Sequence, residues 1–386
     1  MTITITMTMT MIKRAYNIKE LIKPNKVLII YGPRRVGKTT LLDNFLKDTP
    51  LKYKIDSGDN IRVRQILGSQ DFKQILEYME GYELYAIDEA QQILGIGMGL
   101  KILADNINGI YIIATGSSSF DLSSMAGEPL TGRKTAILLY PLAQKELLAL
   151  YNRFELKEKL EDFLIYGSYP DVITAANKKE KIEVLEELVN SYLLKDVLAL
   201  DNLKSSKTLI DLLKLLAFQT GSLVSFNELA AKLRIDVKTV AKYLDVLEKT
   251  FVIKKLSGFN RNLRNEITAK AKYYFIDNGI RNAVVSQFNT LENRDDVGIL
   301  WENFIFMERI KKMTYERIMP VNFYFWRTYD GKEVDLVEEN NGVLSSYELK
   351  WSKDKHNNKT RALWNKTYPN APLSVVNSEN YLDFVL

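Results

Sequence analysis

Short apolar runs alternate with longer mixed stretches over the first half of the chain. Residues 26–31 (KVLIIY), 84–88 (LYAID), 110–115 (IYIIAT) and 135–140 (TAILLY) read as strands, with helix-like stretches between them. Strands alternating with helices predict a mainly parallel sheet with helices on both faces. From Pro141 the pattern turns helical, as in LAQKELLALYNRFELKEKLEDFLIYG, and predicts a helical lid over residues 142–200. A second block, 201–285, shows three short helices. SKTLIDLLKLLAFQ is the first, SFNELAAKLR starts at a capping box of Ser225 and Glu228, and DVKTVAKYLDVLEKT follows Asp236 as N-cap. Two strand-like runs, FVIKKLSGF and AKYYFID, flank a basic loop. Three helices and then a hairpin predict a winged helix-turn-helix. The last block, 286–386, predicts a helix near 298–312 and then strands.

At 386 residues and 46% hydrophobic content the chain can bury more than one core. It has no cysteine, so disulfides, zinc–thiolate sites and thiol nucleophiles are excluded. Its only histidine is His356, which leaves carboxylates, lysines, arginines, hydroxyls and bound metal to carry any chemistry. A net charge of +5 permits a nucleic-acid partner without demanding one. No stretch reaches the ~20 apolar residues of a membrane span, and a cytoplasmic protein is expected. The opening MTITITMTMTM lacks the basic-then-apolar order of a secretion signal. Residues 1–10 read as a leader or appended segment, with Met11 as the natural start, so the first folded block is 11–200.

Gly32-Pro33-Arg34-Arg35-Val36-Gly37-Lys38-Thr39 is a complete phosphate-binding loop between a strand and a helix, with Thr40 next to it. The glycines let backbone N–H groups face phosphate oxygens, and the helix start adds a favourable dipole. Lys38 is expected to reach the terminal phosphates and Thr39 to ligate Mg²⁺. In LYAIDEA, Asp88 ends a buried strand and can orient Mg²⁺, while Glu89 can polarise the attacking water. IIATGSSS ends a further strand in hydroxyls, and Ser117 or Thr115 can sense the terminal phosphate. Arg133, before the strand TAILLYPL, can stabilise transition-state charge in cis or from a neighbouring subunit, or can be a surface arginine. The trans alternative would require a homo-oligomer.

GPRRVGKTTLL, IDEAQ, TGSSS, LTGR, YPLAQKE and YGSYPDV, in this order, resemble a family of bacterial and archaeal AAA+ ATPases with a C-terminal domain of unknown function. YYFIDNGIRN, WENFIFMERI, FWRTYDGKEVDLV and YELK resemble its later motifs. Ser168 stands where the family pattern leads one to expect glycine. The resemblance spans nearly all of the chain from Met11. It implies an α/β fold class: a P-loop AAA+ core with a helical lid, a winged helix-turn-helix, and an α/β restriction-endonuclease-like domain of the PD-(D/E)XK type. The choice of ATP over GTP also rests on it.

The segment KEVDLVEENNGVLSSYELK can be tested for a nuclease-type site by spacing. Asn341-Gly342 is a strong hairpin turn signal. With that turn, paired residue numbers sum to 683, Asp335 faces Glu348, and Glu333 faces Lys350, all on one side of the hairpin. Facing carboxylates repel unless a cation sits between them. Asp335 and Glu348 are therefore candidate metal ligands and Lys350 a candidate catalytic lysine. The alternative is a plain Glu333–Lys350 pair with Asp335 at a solvated edge. The family pattern adds Glu302 as a further ligand. In the winged helix the second helix, near 236–249, carries Lys238, Lys242 and Lys249 but no Arg, Asn or Gln to read bases. The hairpin carries Lys254, Lys255, Arg261, Arg264, Lys270 and Lys272, a set suited to phosphate contact. Two functions are expected from this reading. One is a Mg²⁺-dependent ATPase coupled to DNA and to a nuclease-like domain. The other is an ATP-dependent signalling switch that recruits a protein partner, with an inert nuclease-like tail.

Overall fold

The computed structural model describes residues 12–117, 129–193, 197, 206–259, 271–318, 321–328, 330–352 and 358–386. The opening segment, His356, Arg261, Arg264 and Lys270 lie outside the described residues. Five parallel strands form the first sheet: β1 Lys26–Tyr31, β2 Tyr53–Ser57, β3 Leu84–Asp88, β4 Tyr111–Gly116 and β5 Lys134–Leu138. Their order is β2-β3-β4-β1-β5. Alternate residues of β1 serve different cores. Leu28 and Ile30 pack with Leu42 and Phe45 of the helix Lys38–Asp48. Val27 and Ile29 pack in a second core with Val63, Leu100 and Leu103 from helices on the other face. Both faces are covered, which is why the central strands read as unbroken apolar runs. β2 was not among the strands expected from the pattern. It is an edge strand whose residues are exposed or half-buried, so it carries no apolar run.

The three helices of the second block form as expected, at Ser206–Phe218, Phe226–Leu233 and Val237–Lys249. Ser225 and Asp236 cap the last two, accepting from Glu228 N and Thr239 N. The remaining strands belong to one mixed sheet of seven. These are β6 Leu223–Val224, β7 Ile253–Gly258, β8 Ala271–Phe275, β9 Val321–Arg327, β10 Glu333–Asn340, β11 Val343–Leu349 and β12 Leu373–Val376. Their order is β12-β11-β10-β9-β7-β8-β6. β7 runs parallel to β9, with Ser257 beside Tyr324 and Gly258 beside Phe325. The hairpin of the second block and the strands of the third are thus continuous. A hairpin alone is marginal in water and exposes an open edge; β9 covers that edge.

The helix Val297–Tyr315 ties the blocks together. Its 19 residues span roughly 28 Å. Apolar residues surround it, Trp301, Ile305 and Phe306 among them, as befits a helix packed on all sides. Glu308 accepts from the backbone N–H of Gln144 at 2.7 Å. Lys311 donates to Leu142 O and Ser168 Oγ, each at 3.1 Å, and pairs with Glu308 at 2.7 Å. The helix therefore grips the lid side of the first block rather than forming a separate appendage.

Candidate functional site

β1 delivers the chain into the phosphate loop at Gly32. A β-carbon there would lie 2.1 Å from Leu139 O, so only glycine fits. Gly37 takes a left-handed conformation (φ 90°) and starts the helix Lys38–Asp48. Lys38 is buried, and its ammonium donates to Gly32 O at 2.9 Å and Pro33 O at 2.7 Å. The loop is thus curled around its own lysine. Thr39 and Thr40 are exposed at the helix start, while Pro33 and Val36 are buried beneath. Arg34 lines a small cavity with Pro33, Tyr169, Leu188 and the turn Thr250–Val252. Arg35, also left-handed (φ 57°), reaches the lid, pairing with Glu187 at 2.7 Å and lying 3.7 Å from Asp171.

The ends of β3 and β4 face this loop. Asp88 accepts from Thr39 Oγ1 at 2.9 Å through one oxygen and from Thr115 Oγ1 through the other. Glu89 follows in a left-handed conformation (φ 50°), a strain of about 1 kcal/mol or more for a residue with a side chain. Its N–H donates to Thr115 Oγ1 at 3.3 Å. Its carboxylate accepts from Gln91 Nε2, which also donates to Ser117 Oγ at 3.0 Å. The two hydroxyls left open by the sequence have different partners here. Thr115 holds Asp88 and the Glu89 backbone; Ser117 sits on the Gln91 amide that orients Glu89. No role falls to Gln91 from the sequence alone, although it stands two residues after Glu89 in IDEAQ.

Arg14 is a second residue that the sequence did not single out. It is buried, and its guanidinium donates to Glu146 at 2.8 Å, to Tyr140 O at 2.7 Å, to Tyr315 Oη at 3.2 Å and to Val36 O of the phosphate loop. Burial alone would push the guanidinium below its ordinary value; Tyr315 and Glu146 outweigh that and hold it above. Arg133 requires a correction. Its carbonyl accepts from Val27 N at the start of β1, whereas the phosphate loop follows the end of β1. Six residues of strand separate the two, roughly 20 Å. Its guanidinium pairs with Asp105. Arg133 is at the wrong end of the sheet to act on a phosphate in cis.

The C-terminal hairpin has the register expected. Asn340 pairs with Val343 and Leu336 with Tyr347, so the numbers sum to 683. Asn341 (φ 50°) and Gly342 (φ 80°) form the turn, both left-handed. Asp335 and Glu348 are both buried. Lys350 Nζ lies 3.2 Å from Asp335 and 3.5 Å from Glu348, and Leu349 N donates to Asp335 at 2.8 Å. Glu333 differs from the expectation of a partner across the hairpin: it pairs with Arg327 at 2.9 Å and with Lys272 at 2.5 Å. Lys272 is a further correction. Expected on an exposed basic wing, it is 1% exposed, because every residue of β8 is buried, and its side chain turns inward over the Phe325 ring. Its ammonium also lies 3.1 Å from Glu302, which accepts from Tyr274 Oη at 2.6 Å.

Burial lowers the affinity of Lys272 for its proton, but Glu302, Glu333 and Asp335 more than reverse this and raise it. Lys350 behaves in the same way beside Asp335 and Glu348. Burial raises the Glu302 carboxyl, with Lys272 and Tyr274 opposing. Glu302 lies against Lys272, while Asp335 and Glu348 lie against Lys350. Among the described residues no group of three or more acidic side chains is arranged to hold a metal ion.

Comparison with known proteins divides the chain in three. Residues 24–148 match the family model of an AAA domain. Residues 157–291 and 297–384 match two domains of unknown function, DUF8612 and DUF4143. An uncharacterized protein of Mycobacterium tuberculosis is 26% identical over 327 residues, covering 84% of this chain and 70% of that protein. An uncharacterized protein of Haemophilus influenzae is 28% identical over 351 residues, covering 85% and 84%. Among solved structures, a Signal Transduction ATPase with Numerous Domains (STAND) protein with a tetratricopeptide repeat sensor, from Pyrococcus horikoshii, is 16% identical. That match has a TM-score of 0.29, with 74% of this chain and 43% of that chain covered. No helix among the described residues is long and apolar enough to cross a membrane.

Proposed function

We propose that the protein is an ATP-hydrolysing conformational switch, in which the phosphate loop reports its occupancy to the lid and to the C-terminal sheet. The observation that carries this reading is the bond from Thr39 Oγ1 to Asp88 Oδ2, with Glu89, Gln91 and Ser117 linked beside it. Loop hydroxyl and strand carboxylate meet at the start of the helix Lys38–Asp48, where Thr39 and Thr40 are exposed, and the second carboxylate follows in the chain. That arrangement fits a magnesium nucleotide. Gly32–Thr40 would cradle the phosphates, with Thr39 and Asp88 at the Mg²⁺. The ion, when bound, offsets phosphate charge. Lys38 moves from two loop carbonyls to the phosphates. Glu89, held by Gln91, accepts the proton of the attacking water. Ser117, which accepts from the Gln91 amide, would sense the terminal phosphate. Two links carry the change outward: Arg35 to Glu187 of the lid, and Arg14 to Tyr315 of the long helix.

The direct test is Mg²⁺-dependent ATP hydrolysis by the wild type and by Lys38→Ala. Turnover by the wild type and none by the variant is expected; equal turnover removes the assignment of this loop. A second reading makes DNA the effector. It is favoured by Arg234, Lys238 and Lys242, all exposed around the helix pair Phe226–Leu233 and Val237–Lys249. Stimulation of the ATPase by duplex DNA, weakening as salt rises, supports that reading. A rate indifferent to DNA at low salt favours a protein partner.

A further inference from the structure

We propose that Lys272, whose ammonium sits between Glu302 and Glu333 beside the group Asp335, Glu348 and Lys350, takes the place of a divalent cation in this acidic cluster, which is metal-free and serves as an ion-pair clasp. The inference does not depend on the ATPase reading. Four carboxylates meet at the junction of β8, β10, β11 and the long helix. Lys272 bridges Glu302 and Glu333; Lys350 bridges Asp335 and Glu348; Arg327 takes the remaining Glu333 oxygen at 2.9 Å. Tyr274 Oη and Leu349 N add donors to Glu302 and Asp335. Three cationic side chains against four anionic ones leave about one negative charge, too little to draw a strongly hydrated dication out of water.

The position of Lys272 in the chain gives the cluster another use. It lies on β8, in the hairpin after the helix-turn-helix, whereas all four acids lie beyond residue 296. The pairing therefore joins the second block to the third, alongside the β7–β9 contact. A bound metal would tie only the acids to one another. A lysine delivered by β8 ties the acids to the winged hairpin.

Mn²⁺ uptake by nucleotide-free protein, counted by electron paramagnetic resonance, tests this. Wild type and Asp335→Asn should take up the same number of ions, since any phosphate-loop site is common to both. Lys272→Met should gain about one Mn²⁺ per chain, and adding Asp335→Asn should abolish the gain. Uptake by the wild type that is lost in Asp335→Asn overturns the proposal, because the cluster then holds metal with its lysine present. No gain in Lys272→Met also overturns it, because the lysine was then not filling a cation's place. If Lys272→Met does not fold, Lys272→Gln replaces it, and the comparison of wild type with Asp335→Asn decides without any change at Lys272.

Discussion

Arg14 offers a sharp test of how the phosphate loop is held. In Arg14→Ala the guanidinium is lost from a pair whose side chains are 5% and 1% exposed. Removing one partner of a buried ion pair costs roughly 3–5 kcal/mol, because the other charge is left without compensation. Glu146 keeps two donors, Ala15 N at 2.8 Å and Ala143 N at 2.9 Å, which places the loss near the lower end. Two buried carbonyls, Val36 O and Tyr140 O, also lose a donor, at roughly 1 kcal/mol each. The expected total is about 5 kcal/mol. At ~2–4 °C per kcal/mol for a domain of this size, the melting temperature should fall by about 10–20 °C. Glu146→Gln added to Arg14→Ala should recover part of that fall, because the stranded charge is gone. The assay is thermal unfolding of the four proteins of the cycle, paired with ATP titration. KM for ATP should rise in Arg14→Ala, since Val36 O belongs to the loop. A fall of under about 2 °C, or a double variant no more stable than Arg14→Ala, would refute the claim that this pair anchors the loop.

Two further outcomes are expected. Glu89→Gln should still bind ATP, measured by a fluorescent analogue, while kcat falls by about 10²–10⁴; unchanged turnover would remove Glu89 as the base. Asp296 pairs with Arg281 at 2.6 Å and with Arg294 at 2.8 Å. Burial alone would raise its carboxyl, but the hydrogen bonds and charges of Arg294 and Arg281 prevail and hold it below the ordinary 3.8. A lowered folded value means that its contribution is complete above about pH 3.8 and is lost as pH falls through the folded value. The stability gap between wild type and Asp296→Asn, followed by urea unfolding across pH, should therefore be flat near neutrality and shrink in acid. A gap that widens in acid would contradict the pairing.

The sequence by itself determined those features that depend on neighbours along the chain. Glycine spacing located the phosphate loop, because a left-handed Gly37 and a side-chain-free Gly32 are local demands. Continuous apolar runs located β1, β3 and β4, because strands buried on both faces have no polar side. Asn341-Gly342 and a period of two set the register, and Asp335 and Glu348 both come within reach of Lys350. The exposed edge strand β2 escaped notice because it buries too little to leave a pattern. Only the tertiary structure decided which distant charges meet. Arg14 finds Glu146 across 132 residues, and Lys272 reaches Glu302 across 30 and Glu333 from another strand. Nothing adjacent to either cation names its partner. A buried charge must be matched by whatever charge the fold brings alongside it, and that identity is set by how helices and sheets pack. A motif of acids that reads as a metal site along the chain therefore gains, once β8 is laid beside it, a lysine paired with Glu302 and Glu333.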